Sequence, residues 1–297
     1  MIEFEPISLK HRALFAETHA AQPTRSSGES FGNVYLWDLL CRRNVARLGD
    51  RIGIEFMCPK GTFYTFPLGT GDLAPAVEAL KERAASHGIA LKLWGLTPEE
   101  RTALEETFPG CFEYTDDRDN YDYIHDIDAV ATLAGKKLHG KRNFCNRFEM
   151  NNDWSFLPLS PDLFDDCLAL LTEWDREKDG GSPEENLAIR RLFREWDELG
   201  MLGGVLYANG SVAGFTVAEP LTADTLDVHF EKARADLPGA YPMVAREFAR
   251  LVKNAMPQIR YLNREEDMGV PNLRKAKEEW YPTFLLEKTT ALWREQP

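Results

Sequence analysis

Three stretches of this sequence combine residue types that could do chemistry. The first is Leu226-Asp-Val-His-Phe-Glu-Lys-Ala233. Read as a strand, its period-two alternation sets Asp227, His229 and Glu231 on one face and Val228 and Phe230 on the other. Three titratable groups in a row can supply a general base, with His229 and Glu231 as the candidates. The same pattern also fits the polar outer face of a half-buried strand. Asp236-Leu-Pro-Gly239-Ala240-Tyr241 follows and opens a helix, so amides at Gly239 and Ala240 would favour an anion or a developing oxyanion. Tyr241 stands at the same end, where its hydroxyl could protonate a leaving oxygen.

The second stretch reverses the charge of its surroundings. The chain as a whole carries 35 Lys+Arg against 48 Asp+Glu, a net charge of −13. Yet no acid occurs from Ala129 to Phe148, where Lys136, Lys137, Lys141, Arg142 and Arg147 supply a positive patch. On one helical wheel Val130, Leu133, Leu138, Phe144, Cys145 and Phe148 share an apolar face, and Arg142, Asn143 and Arg147 lie opposite. Lys137 and Lys141 fall inside the apolar stripe. Either Gly140 breaks the helix, or those ammonium groups meet a polyanion in a partly buried cleft. A solvated basic linker whose lysines reach past the core fits as well. The third stretch, Tyr261-Leu-Asn263-Arg264-Glu-Glu266-Asp267-Met-Gly, packs polar residues where a strand ends and a helix begins, a favoured ligand position in α/β sheets. Asn263, Arg264, Glu266 and Asp267 are its candidates for binding an acceptor; Arg274, Lys275 and Lys277 read as solvating the next helix. The phosphate-loop, dinucleotide, zinc-protease and nucleophile-elbow motifs are all missing, and the six histidines never fall at metal spacing, so no metal is expected.

The elements that must position these residues repeat. Phe4-Glu-Pro-Ile-Ser8 recurs as Phe156-Leu-Pro-Leu-Ser160, each serine a candidate cap for a helix, Leu9–Ala20 and Pro161–Glu177. Each is followed by a second helix, near Phe31–Arg43 and Pro183–Leu199, and a hairpin, the later one turning at Asn209-Gly210. Both halves then run helix, strand, helix, strand, with 225–232 as an extra strand in the second. This predicts an α/β (α+β) fold of two like domains, 1–127 and 153–297, joined by a basic connector helix at 128–152. Five widely spaced cysteines without a CxxC pair suggest reduced thiols and a cytoplasmic setting. No apolar run approaches the roughly 20 residues of a membrane span, and the start lacks the basic region of a signal peptide.

Asp122-Tyr-Ile-His-Asp-Ile-Asp and the basic stretch after it, His229-Phe-Glu-Lys-Ala, Gly239-Ala-Tyr and Tyr261-Leu-Asn-Arg-Glu-Glu-Asp-Met-Gly resemble the family of the phosphatidylglycerol lysyltransferase C-terminal domain. The similarity runs over nearly the whole chain. It implies two tandem domains of the GNAT acyltransferase fold, each a mixed sheet flanked by helices, and a kinship with Fem-type aminoacyl transferases. Characterised relatives move an aminoacyl group from charged tRNA to a lipid or a cell-wall precursor. Ordinary acetyl-coenzyme A enzymes of that fold carry Arg/Gln-x-x-Gly-x-Gly/Ala before the corresponding helix, whereas Arg234-Ala-Asp-Leu-Pro-Gly-Ala has another spacing. The expectation is an acyltransferase whose second domain carries the chemistry. Its co-substrate is aminoacyl-tRNA or acyl-coenzyme A, with no tightly bound cofactor. The basic connector would hold tRNA phosphates through Lys136, Lys137, Lys141, Arg142, Asn143 and Arg147, and the acceptor is a small molecule or a cell-envelope precursor. The alternatives are a coenzyme A-dependent N-acetyltransferase and a non-catalytic binding module.

Overall fold

The computed structural model describes residues 2–176 and 183–294. The chain forms two compact units, each a mixed sheet with helices packed on it. The first comprises 1–122, 266–271 and 285–297; the second comprises 123–265 and 272–284.

In the first unit the elements are β1 (Glu5–Pro6), α1 (Arg12–Ala21), α2 (Phe31–Leu36), β2 (Arg42–Leu48), β3 (Arg51–Cys58), β4 (Gly61–Tyr64), β5 (Leu68–Gly69), α3 (Leu73–Ser86), β6 (Lys92–Leu96), α4 (Pro98–Thr107) and β7 (Phe112–Asp116). The sheet runs β1-β2-β3-β4-β6-β15-β7, with β5 beside β3. Its β15 (Thr289–Trp293) comes from the far end of the sequence. It pairs antiparallel with both β6 and β7. The division at 128 and 153 therefore gives way to one in which 289–293 belong with the first sheet. The helix expected over Phe31–Arg43 stops early, and β2 replaces its end. Its polar run was hard to read as a strand because Arg43 and Asn44 are buried with specific partners, Arg43 on the carbonyls of Asn33 and Val34 and Asn44 on Glu55. With β2 in place, the extra strand of the second half has its counterpart in the first.

The second unit contains β8 (Asp122–Asp126), α5 (Ile127–Thr132), α6 (His139–Asn151), β9 (Trp154–Pro158), α7 (Phe164–Arg176), α8 (Pro183–Arg194), α9 (Trp196–Leu199), β10 (Leu202–Ala208), β11 (Ser211–Thr222), β12 (Thr225–Ala233), α10 (Ala240–Ala255), β13 (Tyr261–Asn263), α11 (Pro271–Glu278) and β14 (Phe284–Leu286). The predicted helix end at Glu177 lies outside the described residues. The sheet order is β14-β8-β13-β12-β11-β10-β9. β12 and β13 run parallel, paired from Thr225↔Tyr261 to Asp227↔Asn263. The Asn209-Gly210 turn forms as expected, with φ of 53° and 81°. The core lies under α10, whose buried face (Met243, Val244, Phe248, Val252) meets Leu226, Val228, Ala233 and Leu262 from the sheet.

The connector is two helices, not one. Its chain reverses at Leu133 (φ 50°) and Gly135 (φ 82°), and Gly140 lies inside α6. Leu133 accepts the left-handed conformation because its side chain is fully buried in the core. The cysteine expectation is also corrected. Cys41 and Cys58 form a disulfide, with Cα atoms 4.6 Å apart. The β2–β3 register, Arg42↔Met57, sets the two cysteines opposite one another.

Candidate active site

The row expected on β12 is split. In the β11–β12 ladder Val217 pairs with Phe230 and Ala218 with Val228, so His229 is an extra residue without a partner. This bulge shifts the alternation by one. Val228 and Ala233, an odd number of positions apart, both reach the core under α10 as a result. Glu231 shares the Ala233 face, while Asp227 stays on the other. A bulge is invisible to periodicity, which assumes an unbroken ladder.

His229 is buried, and both ring nitrogens are engaged: Nδ1 lies 3.0 Å from Glu265 Oε1 and Nε2 lies 3.0 Å from Glu219 Oε1. Asp227 adds a third carboxylate at 3.9 Å. Burial alone would push the imidazole pKa down, but the charge of Asp227 and the bonds to Glu219 and Glu265 hold it well above the usual histidine range. A ring bonded to carboxylates through both nitrogens has no lone pair to accept a proton. The expectation that His229 acts as the base therefore gives way to an imidazolium that ties β11 to the loop after β13. Ligand atoms of Glu219, Asp227 and His229 lie within 4.8 Å of one another, a grouping suited to a cation. Glu219 joins from β11, which is why spacing of histidines alone could not reveal the cluster.

On the opposite face Glu231 meets Arg264, with Nη2 donating to Oε1 at 2.6 Å. Burial raises the Glu231 pKa, and Arg264, Lys277 and Lys141 pull it back without cancelling the rise. Its side chain retains 14% exposure. The guanidinium of Arg264 lies over the Trp280 ring at 4.9 Å, and Lys141 approaches that ring at 5.3 Å. Lys277, expected only to solvate α11, donates to the Arg264 carbonyl at 2.6 Å and stands 5.7 Å from the Tyr123 ring. Thr216, directly across the ladder from Glu231, is fully buried. His125, beside Leu262, is held neutral by burial and then by the charges of Arg264 and Lys277. Tyr241 is half-buried, and its pKa is pushed up to about 12 by burial, against a backbone bond from Ala233 and with the Glu231 charge adding to the rise. Its hydroxyl is protonated at neutral pH. Lys277, Trp280, Thr216 and His125 left no signal in the sequence, because only the fold brings their elements to one face.

The remaining candidates are dispersed. Lys136, Lys137 and Arg147 are exposed. Lys141 pairs with Glu279 at 3.3 Å. Arg142 is spent on the carbonyls of Leu133 and Gly135, which close the break between α5 and α6. Asn143 bonds His139. The helix start is packed shut. Gly239 is left-handed (φ 96°), and a Cβ there would lie 2.6 Å from the Phe144 carbonyl on α6. The Ala240 amide already donates to Leu237. These two residues are thus corrected from anion ligands to packing contacts. Asn263 is buried and accepts from the Glu265 amide at 2.7 Å, holding Glu265 in its left-handed turn (φ 54°). Glu266 and Asp267 belong to the first unit, where Asp267 is fully buried on Arg118 (3.1 Å) and the Gly269 amide. They shape that unit, and the pairing with Arg118 is too distant in sequence to anticipate.

The model of the phosphatidylglycerol lysyltransferase C-terminal family matches residues 20–291. A conserved protein of unknown function from Bacteroides thetaiotaomicron is 34% identical, with a TM-score of 0.91 over 99% of this chain and 100% of that one. The C-terminal domain of a putative lysylphosphatidylglycerol synthetase from Agrobacterium fabrum is 14% identical (TM-score 0.69, covering 97% and 93%). FemX is 9% identical (TM-score 0.66, covering 99% and 98%), a likeness of fold alone. Among curated proteins no relative matches the sequence. No helix among the described residues is long and apolar enough to cross a membrane. The fold is that of tandem GNAT proteins, and the chain belongs to the phosphatidylglycerol lysyltransferase C-terminal family.

Proposed function

We propose that the second unit transfers an aminoacyl group from charged tRNA to an amine or hydroxyl acceptor, with Glu231 as the base. The observation that carries this reading is the Glu231–Arg264 pair. The Glu231 carboxyl has its pKa raised by burial, is partly open, and is set among Lys277 and Lys141. The acceptor's nucleophile attacks the carbonyl of the donor ester and gives its proton to Glu231. That attack forms the new acyl–nitrogen or acyl–oxygen bond; the acyl carbon–oxygen bond to the ribose then breaks, Tyr241 gives a proton to the departing ribose oxygen, and the proton held by Glu231 returns to Tyr241. Arg264 and Lys277 stabilise the oxyanion between these steps. The exposed Lys136, Lys137 and Arg147 supply phosphate contacts. Three such contacts give a slope of log affinity against log salt of about −2 to −3. The coenzyme A reading has less support, because the helix start that would hold a pyrophosphate is packed against α6.

The test is incubation with tRNA charged with radiolabelled amino acids, one at a time, and separately with labelled acetyl-coenzyme A, each in the presence of a cell-envelope extract. Transfer of label from one charged tRNA, lost in Glu231→Gln, supports the proposal. Transfer from acetyl-coenzyme A alone overturns it. Binding without transfer from any donor leaves the non-catalytic module standing.

A further inference from the structure

Tyr281 is placed in a way that packing does not explain. It follows α11 at the position where helices commonly end in a left-handed glycine, and it has φ 51° with its amide closing on the Glu278 carbonyl. A tyrosine is strained there. Leu133, in the same conformation, is compensated by full burial; Tyr281 is 51% exposed. The ammonium of Lys137 stands 5.5 Å from its ring. The residue before it, Trp280, carries Arg264 on its ring, and Arg264 holds Glu231. Phe284, 39% exposed, continues the aromatic segment against Tyr261, over which Arg260 lies at 5.3 Å. Exposed rings beside cations, with Tyr281 next in sequence to the buried Trp280 that underlies Arg264, are the makings of a single-stranded nucleic acid site, in which bases stack and phosphates meet ammonium groups.

We infer that Tyr281 is a stacking platform for the 3′-terminal base of the RNA donor, with Lys137 against an adjoining phosphate. The inference rests on the aminoacyl-tRNA reading and deepens it. A base on the Tyr281 ring would bring its ribose, which bears the ester, to the residue next to Trp280, the ring on which Arg264 lies. The backbone strain is then the cost of displaying an aromatic ring where glycine would be relaxed.

The experiment measures binding of a short single-stranded RNA ending in CCA, and of the full charged tRNA, to the intact protein and to Tyr281→Phe, Tyr281→Ala and Tyr281→Gly. Stacking uses the ring and not the hydroxyl, so Phe retains affinity, while Ala and Gly lose roughly 10-fold or more. Tyr281→Gly also melts at a higher temperature than the parent, since it relieves the left-handed strain. A tyrosine serving only the fold would instead lower the melting temperature when removed and leave RNA affinity alone, and that result overturns the inference. Loss of binding to anionic phosphatidylglycerol vesicles in Tyr281→Ala, with RNA affinity unchanged, also overturns it in favour of a lipid surface. If the parent binds RNA and the variants do likewise, the platform falls while the donor assignment stands. If the parent binds no RNA at all, both fall together.

Discussion

Each unit buries a carboxylate against an arginine, and the two pairs have opposite characters. In the first unit Glu55 is fully enclosed. It accepts two bonds from Arg83 (2.8 and 2.9 Å) and one each from Asn44, Tyr64 and His87. Burial raises its pKa, but those bonds and the Arg83 charge overcome the rise and bring it to about 2. In the second unit Glu231 has one arginine bond, remains partly exposed, and is raised. The lesson lies in the number of partners. A carboxylate saturated with donors is fixed in charge and braces a sheet; one held by a single donor in a desolvated spot can take up a proton and release it.

Neutralising each acid in turn separates the two pairs. Glu231→Gln should lower transfer from charged tRNA about 100-fold or more without lowering the melting temperature; a variant that keeps its turnover would remove Glu231 from the chemistry. Glu55→Gln should do the reverse. It strips the charge from a buried network and should cost about 3 kcal/mol or more of stability in denaturant melts, while surviving folded protein transfers normally. The same acid predicts a pH dependence. Its folded value lies below its unfolded value of 4.5, so its stabilisation is present above pH 4.5 and fades as pH falls towards 2. That loss amounts to about 3 kcal/mol and should be missing in Glu55→Gln.

A smaller effect comes from Glu29, a second acid of the first unit, raised well above its usual range by burial and then by the charge of Glu100. A raised acid stabilises fully below its unfolded value and loses that contribution as pH rises through the folded one. Glu29→Gln, which cannot ionise, should therefore gain stability on the parent as pH rises from 5 to 8. An equal difference between their melting temperatures at both pH values would count against that assignment.

The elements with strong local signals were legible. The Asn209-Gly210 hairpin, the long amphipathic α10 and the repeated order of elements all follow from turn chemistry and periodicity. What escaped depends on partners far along the chain. The strand β2 is polar in composition, with Arg43 and Asn44 buried by hydrogen bonds to the Asn33 and Val34 carbonyls and to Glu55, and β15 leaves its own half to join the first sheet. At the site, His229, Glu231 and Arg264 stood out by residue type, yet the bulge at His229 reversed the phase on which the row of three was argued. Lys277 and Trp280 gave no hint, since α11 reads as an ordinary solvated helix until β13 is laid beside it. Resemblance to a family placed the fold where patterns alone could give only a duplicated α/β order.

The exchange of β15 also bears on how the protein is made. A ribosome releases residues 1–122 long before it reaches residues 289–293, so the earlier sheet waits with an unfilled gap between β6 and β7 until those residues emerge. Neither half is a cassette that gene rearrangement could lift out intact. A message cut short before residue 289 would cripple the sheet whose other strands were made first.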